Sequence, residues 1–202
     1  MAEGNRNIRD GGSGLSFQMR TEPIHIDSVA TPFGGAIGLT HCPGRRGLDS
    51  AGRYWQRDLA QDLGKIESWG PAVVVTLLEA VEFSRYGVEH LADAMQRRNF
   101  IWHHMPIKDM ATPDAITMLA WDRAEPDVLR ALRDGGRVVF HCAAGLGRTG
   151  TITAKLLADM GVCAVDAIAM VRAQRPGAIE TRAQEEFILS EARLIRHGTA
   201  RR

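Results

Sequence analysis

Hydrophobic positions in this chain repeat with two different periods, and the switches between them mark its elements. Residues 1–22 show neither period and are rich in Gly, Asn and Arg, which predicts a mobile N-terminal arm. The alternation Ile24-His25-Ile26 predicts a short strand. Glycines at 34, 35 and 38 interrupt the chain around a second, Ile37–Cys42, and Pro43 to Gly47 reads as a turn. Trp55, Leu59, Leu63 and Ile66 then fall three or four apart, one face of a helix from Tyr54 to Ser68 closed by Trp69-Gly70-Pro71. Ala72–Leu78 is short, continuously apolar and β-branched, as a strand covered on both faces should be. A helix over Val88–Arg98 leads into a strand at Phe100–Met105 and a loop from Pro106 to Ala111.

Helical periodicity resumes at Pro113, meets a kink or fresh start at Pro126, and ends at Gly135-Gly136. Arg137–His141 is a third buried strand, followed by helices over Thr149–Met160 and Val165–Gln174. Pro176-Gly177 stops the second of these, and Thr181 with Gln184 has the capping-box spacing that opens a last helix reaching Arg196. Strands alternating with helices imply an α/β fold: a single domain over residues 23–197 with a central, mostly parallel sheet flanked by helices, and a short tail at 198–202.

A chain of 202 residues fits that single domain. Its 45% hydrophobic and 24% charged content excludes wholesale disorder and collagen-like repeats. Basic and acidic residues number 25 and 24, so no global field draws in nucleic acid or anionic lipid, and any anion must be captured locally. The three cysteines, Cys42, Cys142 and Cys163, are too few for a disulfide scaffold and fit a reducing compartment. No apolar run approaches the roughly 20 residues of a membrane span, and the N-terminus lacks the apolar core of a secretory signal. The expectation is a cytoplasmic protein with neither membrane nor nucleic acid as partner.

The segment from Val138 to Gly150 lies where a strand ends and a helix begins, the place where open α/β sheets bind ligands. Gly145-Leu146-Gly147-Arg148-Thr149-Gly150 satisfies G-x-G-x-x-G. A dinucleotide fold also needs a second strand ending in an acid about 20 residues on, and here that region is helical, with Asp166 inside the helix. A nucleotide P-loop fails too, because no lysine follows the glycine. A purely structural turn leaves Cys142 and Arg148 unexplained.

A phosphate loop with a nucleophile uses every residue. Cys142 and Arg148 have the spacing C-x5-R, and the small residues Ala143, Ala144, Gly145 and Gly147, with Leu146 between them, let successive N–H groups turn inward around an anion. The same dipoles favour Cys142 as a thiolate. Arg148 offers a planar fork to two phosphate oxygens, and the Thr149 hydroxyl can donate to the sulfur.

His141-Cys142-Ala-Ala-Gly-Leu-Gly-Arg148-Thr149 resembles the signature H-C-x5-R-[ST] of the cysteine-dependent protein phosphatases. Within them the chain is most similar to the dual-specificity group and its cyclin-dependent kinase-associated phosphatases. The likeness runs from Gly34 to Ile188, through Gly38–Gly44, Val73–Leu78, His103–Asp109, Thr112–Asp114 and Arg175–Thr181. The resemblance implies an aspartate general acid on the loop after the preceding strand, which falls on Asp109. Its place just past a buried strand agrees, since a parallel sheet brings it to the edge that carries Cys142. Asp114, after Thr112-Pro113, reads as a first-turn helix acid. The implied reaction is metal-independent, needs no cofactor, passes through a phosphocysteine, and acts on phosphorylated proteins at tyrosine and serine/threonine alike, with the protein as a monomer.

His141 is expected to support the loop rather than to act as a base. The adjacent pair His103-His104 points to opposite faces with no third metal ligand nearby. Glu180 and Gln184 lie near where the resemblance places water-positioning residues, although capping suffices for Gln184. Arg45-Arg46 is either a basic rim or a solvated turn, and Cys163 is expected in the core, with its redox part and that of Cys42 left open. Alternatives are a phosphatase for phosphoinositides or RNA 5′-phosphates, a phosphate-binding module without catalysis, and a sulfurtransferase, which would not need Asp109.

Overall fold

The computed structural model describes residues 7–8, 17–49 and 52–199. In chain order the elements are β1 (Asn7–Ile8), β2 (Phe17–Arg20), β3 (Asp27–Ala30), β4 (Ala36–Thr40), β5 (Arg46–Leu48), β6 (Tyr54–Gln56), α1 (Leu59–Trp69) and β7 (Val73–Thr76). There follow α2 (Ala80–Arg85), α3 (Leu91–Gln96), β8 (Ile101–His104), α4 (Ala115–Arg133), β9 (Arg137–His141), α5 (Gly147–Asp159), α6 (Ala164–Gln174) and α7 (Arg182–Thr199).

The main sheet has the order β3-β4-β9-β7-β8. Its four strands from β4 to β8 are parallel, and β3 joins the edge antiparallel. All four residues of β7 are buried, as are the last four of β9, so both strands sit in the middle of the sheet. Alternate side chains feed two cores. Val73, Val75, Val138 and Phe140 pack with Trp121 and Val128 of α4, Ile152 and Leu156 of α5 and Val171 of α6. Val74 and Val139 face the other way onto Leu63 and Ile66 of α1 and Leu91 and Met95 of α3. Burying a side chain of this size stabilises by roughly 1.5–3 kcal/mol.

The two-sided burial explains the continuous hydrophobic strands. It also explains α5, which is buried over eleven of its thirteen residues because it packs against β4, β9, α6 and α7. Parallel strands direct β4, β7, β8 and β9 to one edge, where their following loops meet.

Several expectations need correction. Tyr54–Gln56 is a strand, not the start of a helix. Trp55 pairs with Gly47 in a small second sheet of order β1-β2-β6-β5, and α1 begins only after Asp58, whose carboxylate accepts the Gln61 N–H. Phe17–Arg20, read as part of a mobile arm, forms β2 and pairs with β6 at Met19↔Tyr54; such pairing depends on residues far away in sequence. Asn7–Ile8 of the same arm forms β1 and pairs with β2, while residues 1–6 and 9–16 lie outside the described residues, as do 200–202 of the tail. The expected strand at Ile24–Ile26 lies instead at Asp27–Ala30. The single helix over Val88–Arg98 is the shorter α3, and α2 precedes it. Pro126 neither ends nor restarts α4, which runs through it from Asp114, its N-cap. The Thr181–Gln184 capping box forms as read: each backbone N–H is met by the other's side chain at 3.2 and 3.1 Å.

Candidate active site

The loop Cys142–Leu146 joins the end of β9 to the start of α5. It borders a cavity of about 450 Å³ lined by Cys142, Ala143, Ala144, Leu146, Arg148, Asp109 and Glu180, with Tyr86, Trp55, His41 and Arg45 along one wall. Leu146 is the N-cap, so the α5 dipole and its orphan amides point at the loop. Gly145 makes the turn possible. Its φ is +69°, and a Cβ there would run into the Thr40 backbone.

Arg148 is 1% exposed and reaches back over the loop. Its Nη1 and Nη2 donate to the two carboxylate oxygens of Glu82 at 2.5 and 2.9 Å, and Nη1 also donates to the carbonyl of Ile107 at 3.0 Å. The Asp109 carboxylate stands 2.9 Å from Nη2, with its side chain half exposed to the cavity. Burial would lower the guanidinium pKa, but the Glu82 hydrogen bonds and the charges of Cys142, Glu82 and Asp109 raise it above the ordinary value. Nε is buried and has no partner among the described residues.

Two more buried arginines fasten the loop through its carbonyls. Arg45 donates to the carbonyl of Ala143 at 3.1 Å and lies over the Tyr86 ring at 4.6 Å. Arg175 donates to the carbonyl of Ala144 at 2.7 Å and pairs with Asp27. With these carbonyls held by arginines, the loop has positive charge around it while the whole chain carries only +1. Arg45 is therefore neither a rim nor a solvated turn residue; at 6% exposure it is part of the loop's support, whereas Arg46 is exposed. The turn that carries Arg45 is held by Asp62, which accepts the N–H groups of Gly44 and Ile24, each at 2.9 Å. Burial pushes the Asp62 carboxyl up, and those two hydrogen bonds oppose the shift.

His141 is fully buried and shares a hydrogen bond of 2.7 Å with Thr76 on β7. Burial pushes it down to about 3, so it is neutral and locks the end of β9 to its neighbour. Thr149 is buried beneath the loop, its hydroxyl without a partner among the described residues. Asp114 lies away from the cavity lining, where its carboxylate accepts the Thr117 N–H at 2.8 Å. His103 and His104 serve other partners, Asp127 at 3.0 Å and the Leu78 carbonyl at 2.7 Å. Gln184 is buried and bonds the backbone of Glu180, Thr181 and Ala111.

Residues 50–162 match the family model described as Tc-R-P, polymorphic toxin system, DSP-PTPase phosphatase. The chain belongs to this family. As a DSP-PTPase phosphatase it is a cysteine-based dual-specificity protein phosphatase. It is similar to cyclin-dependent kinase inhibitor 3 of Rattus norvegicus, 29% identical over 157 residues, which cover 75% of this chain and 69% of the relative. The same protein of Sus scrofa is 30% identical over 155 residues, again 75% and 69%. Among solved structures, a kinase-associated phosphatase with its catalytic-site cysteine replaced by serine superposes with a TM-score of 0.74 at 26% identity, over 91% of this chain and 99% of that one. The active form of Tk-PTP gives 0.57 at 27% identity, over 81% and 95%.

In this DSP-PTPase phosphatase the structure brings Cys142, Arg148, Asp109 and Glu180 to one cavity, with Thr149 and His141 beneath it. Sequence reasoning missed Glu82 and the contacts by which Arg45 and Arg175 hold the loop. Glu82 had one local signal, the spacing Glu79-x-x-Glu82, which forms a capping box at the start of α2 right after a buried strand. Cys163 is a further correction: it is exposed at the N-cap of α6 rather than in the core. Cys42 is fully buried next to the loop, its N–H on the Ala143 carbonyl at 3.2 Å, and burial pushes its thiol up. Among the described residues no group of three His, Cys, Asp or Glu could hold a metal ion, and no helix is long and apolar enough to cross a membrane.

Proposed function

We propose that this phosphatase hydrolyses phosphorylated proteins through Cys142, at phosphotyrosine and at phosphoserine or phosphothreonine, as a cytoplasmic monomer with no metal and no cofactor. The phosphoryl group enters as a dianion and meets the inward amides of residues 143–148. Glu82 already takes one N–H from each Nη of Arg148 and Asp109 stands against Nη2, so Nε, without a partner among the described residues, remains for a phosphate oxygen. The Cys142 thiolate attacks phosphorus in line. The ester P–O bond breaks as Asp109 gives its proton to the leaving oxygen, leaving a phosphocysteine and the free protein hydroxyl. Asp109, then ionised, takes a proton from water as that water attacks phosphorus. The P–S bond breaks, inorganic phosphate leaves, and the Thr149 hydroxyl stabilises the departing sulfur. The amides and Arg148 carry the charge spread over the transferring group.

The observation that supports this reading best is the Arg148 guanidinium, oriented by Glu82 and 2.9 Å from Asp109 in the cavity that Cys142 lines. Its test is hydrolysis of para-nitrophenyl phosphate in EDTA with inhibition by vanadate, followed by a phosphopeptide panel set against phosphoinositides and RNA 5′-phosphates. Turnover of phosphopeptides that fails in Cys142→Ser and Asp109→Ala is expected. Preference for a phosphoinositide or an RNA end overturns the protein substrate, and turnover of thiosulfate independent of Asp109 overturns the reaction class.

A further inference from the structure

Gly147 is the first residue of α5, and its N–H is one of those that an α-helix leaves without an internal partner. The partner it has is Glu180, whose Oε2 accepts it at 2.8 Å while lining the cavity beside Cys142 and Arg148. A carboxylate thus sits on a phosphate-loop amide. The surroundings are built to deliver it. Ile179, a β-branched residue, is held at φ +61°, a conformation that such side chains avoid. Arg172 donates to the carbonyls of Ala178 and Ile179, both at 3.2 Å, and Gln184 accepts the Glu180 N–H at 2.9 Å. At Gly147 a Cβ would lie 2.5 Å from Glu180 Oε2, so the absence of a side chain is what admits the carboxylate.

We propose that Glu180 is a specificity residue, an internal anion that competes with the substrate's phosphoryl group for the Gly147 amide and disfavours substrates carrying a second negative charge beside that group. The proposal rests on the phosphatase reading and adds a substrate preference to it. The Glu180 side chain is solvent-exposed, so it can surrender the amide to a dianion and take water in exchange. It then remains at the mouth as a fixed negative charge. A unit charge about 5 Å from a dianion in a watery site changes affinity on the order of tenfold. Polyanions such as doubly phosphorylated peptides meet this repulsion twice over.

The test compares native protein with Glu180→Gln, which keeps the shape, and Glu180→Ala. Competitive inhibition by inorganic phosphate should tighten about tenfold in both variants. The preference in kcat/KM for a singly over a doubly phosphorylated peptide of the same sequence should shrink by a similar factor. Phosphate affinity that is unchanged or weaker in both variants overturns the proposal, as does a fall in kcat alone, which marks a role in the hydrolytic step. Calorimetric titration of inorganic phosphate into Cys142→Ser, with and without Glu180→Gln, reads the competition without any turnover. Phosphate binding that ignores residue 180 sinks this inference alone, whereas no phosphate binding in either background sinks the phosphatase reading with it.

Discussion

Replacing Glu82 by alanine strips Arg148 of the one carboxylate that meets both its terminal nitrogens. The two side chains are 3% and 1% exposed, and their bonds of 2.5 and 2.9 Å are made away from solvent. What remains for the guanidinium is the half-exposed Asp109 and the carbonyls of Leu77 and Ile107. Removing one partner of a buried pair costs about 3–5 kcal/mol, because the other charge is left uncompensated. Asp109 offsets part of this, so the lower end applies, about 3 kcal/mol. With a urea slope of about 2 kcal/mol/M, the unfolding midpoint should fall by about 1.5 M. A guanidinium no longer fixed beside Cys142 should also lower kcat by about 10²-fold, the size of losing one positioned donor. Urea titration followed by fluorescence, with para-nitrophenyl phosphate turnover below the transition, reads both numbers. Glu82→Gln keeps one acceptor and should lose less of each. A midpoint within 0.3 M of native, roughly 0.6 kcal/mol at that slope, together with unchanged kcat, would refute the argument that Glu82 holds Arg148.

Asp109→Asn should lower kcat on a phosphotyrosine peptide by about 10²- to 10⁴-fold, since a general acid contributes that much. The half-exposed side chain makes the change mild for folding, so thermal melting should stay near native. Gly145→Ala forces a side chain into a φ of +69° against the Thr40 backbone; it should cost about 2 kcal/mol or more in urea and abolish turnover. His141 is lowered from 6.5 to about 3 by burial, so the unfolded chain binds a proton that the folded one refuses between those values. Stability should therefore fall as pH drops below about 6.5, by about 1.4 kcal/mol per unit from this group, and His141→Asn should remove that share of the slope in urea titrations from pH 7 to 5.

What could be read in the sequence follows from the range of the forces involved. Val73–Thr76 and Arg137–His141 announced themselves as buried strands because two-sided packing demands unbroken apolar runs. The loop from Cys142 to Thr149 was legible because its pattern is local: backbone amides, glycine geometry and a helix start all lie within eight residues. Asp109 was assigned from the family resemblance, and the four parallel strands, which end at one edge, bring it to the cavity that Cys142 lines.

Chain neighbours could not reveal the rest. Trp55 has helical spacing to Leu59, yet it belongs to a strand because its pairing partner, Gly47, lies across a turn. Arg45 looked like a surface turn residue until the fold set it 98 positions away in sequence, against the Ala143 carbonyl. Arg175 reaches Ala144, Glu82 reaches Arg148, and Glu180 reaches Gly147 by the same kind of long closure. The amino-acid sequence by itself determined the α/β architecture and carried the C-x5-R segment between a strand and a helix, because local propensity and periodic burial act between near neighbours. Only the tertiary structure decided how the loop is braced and that Glu82 holds Arg148. Buried charges find their partners through space, and no local pattern along the chain records that meeting.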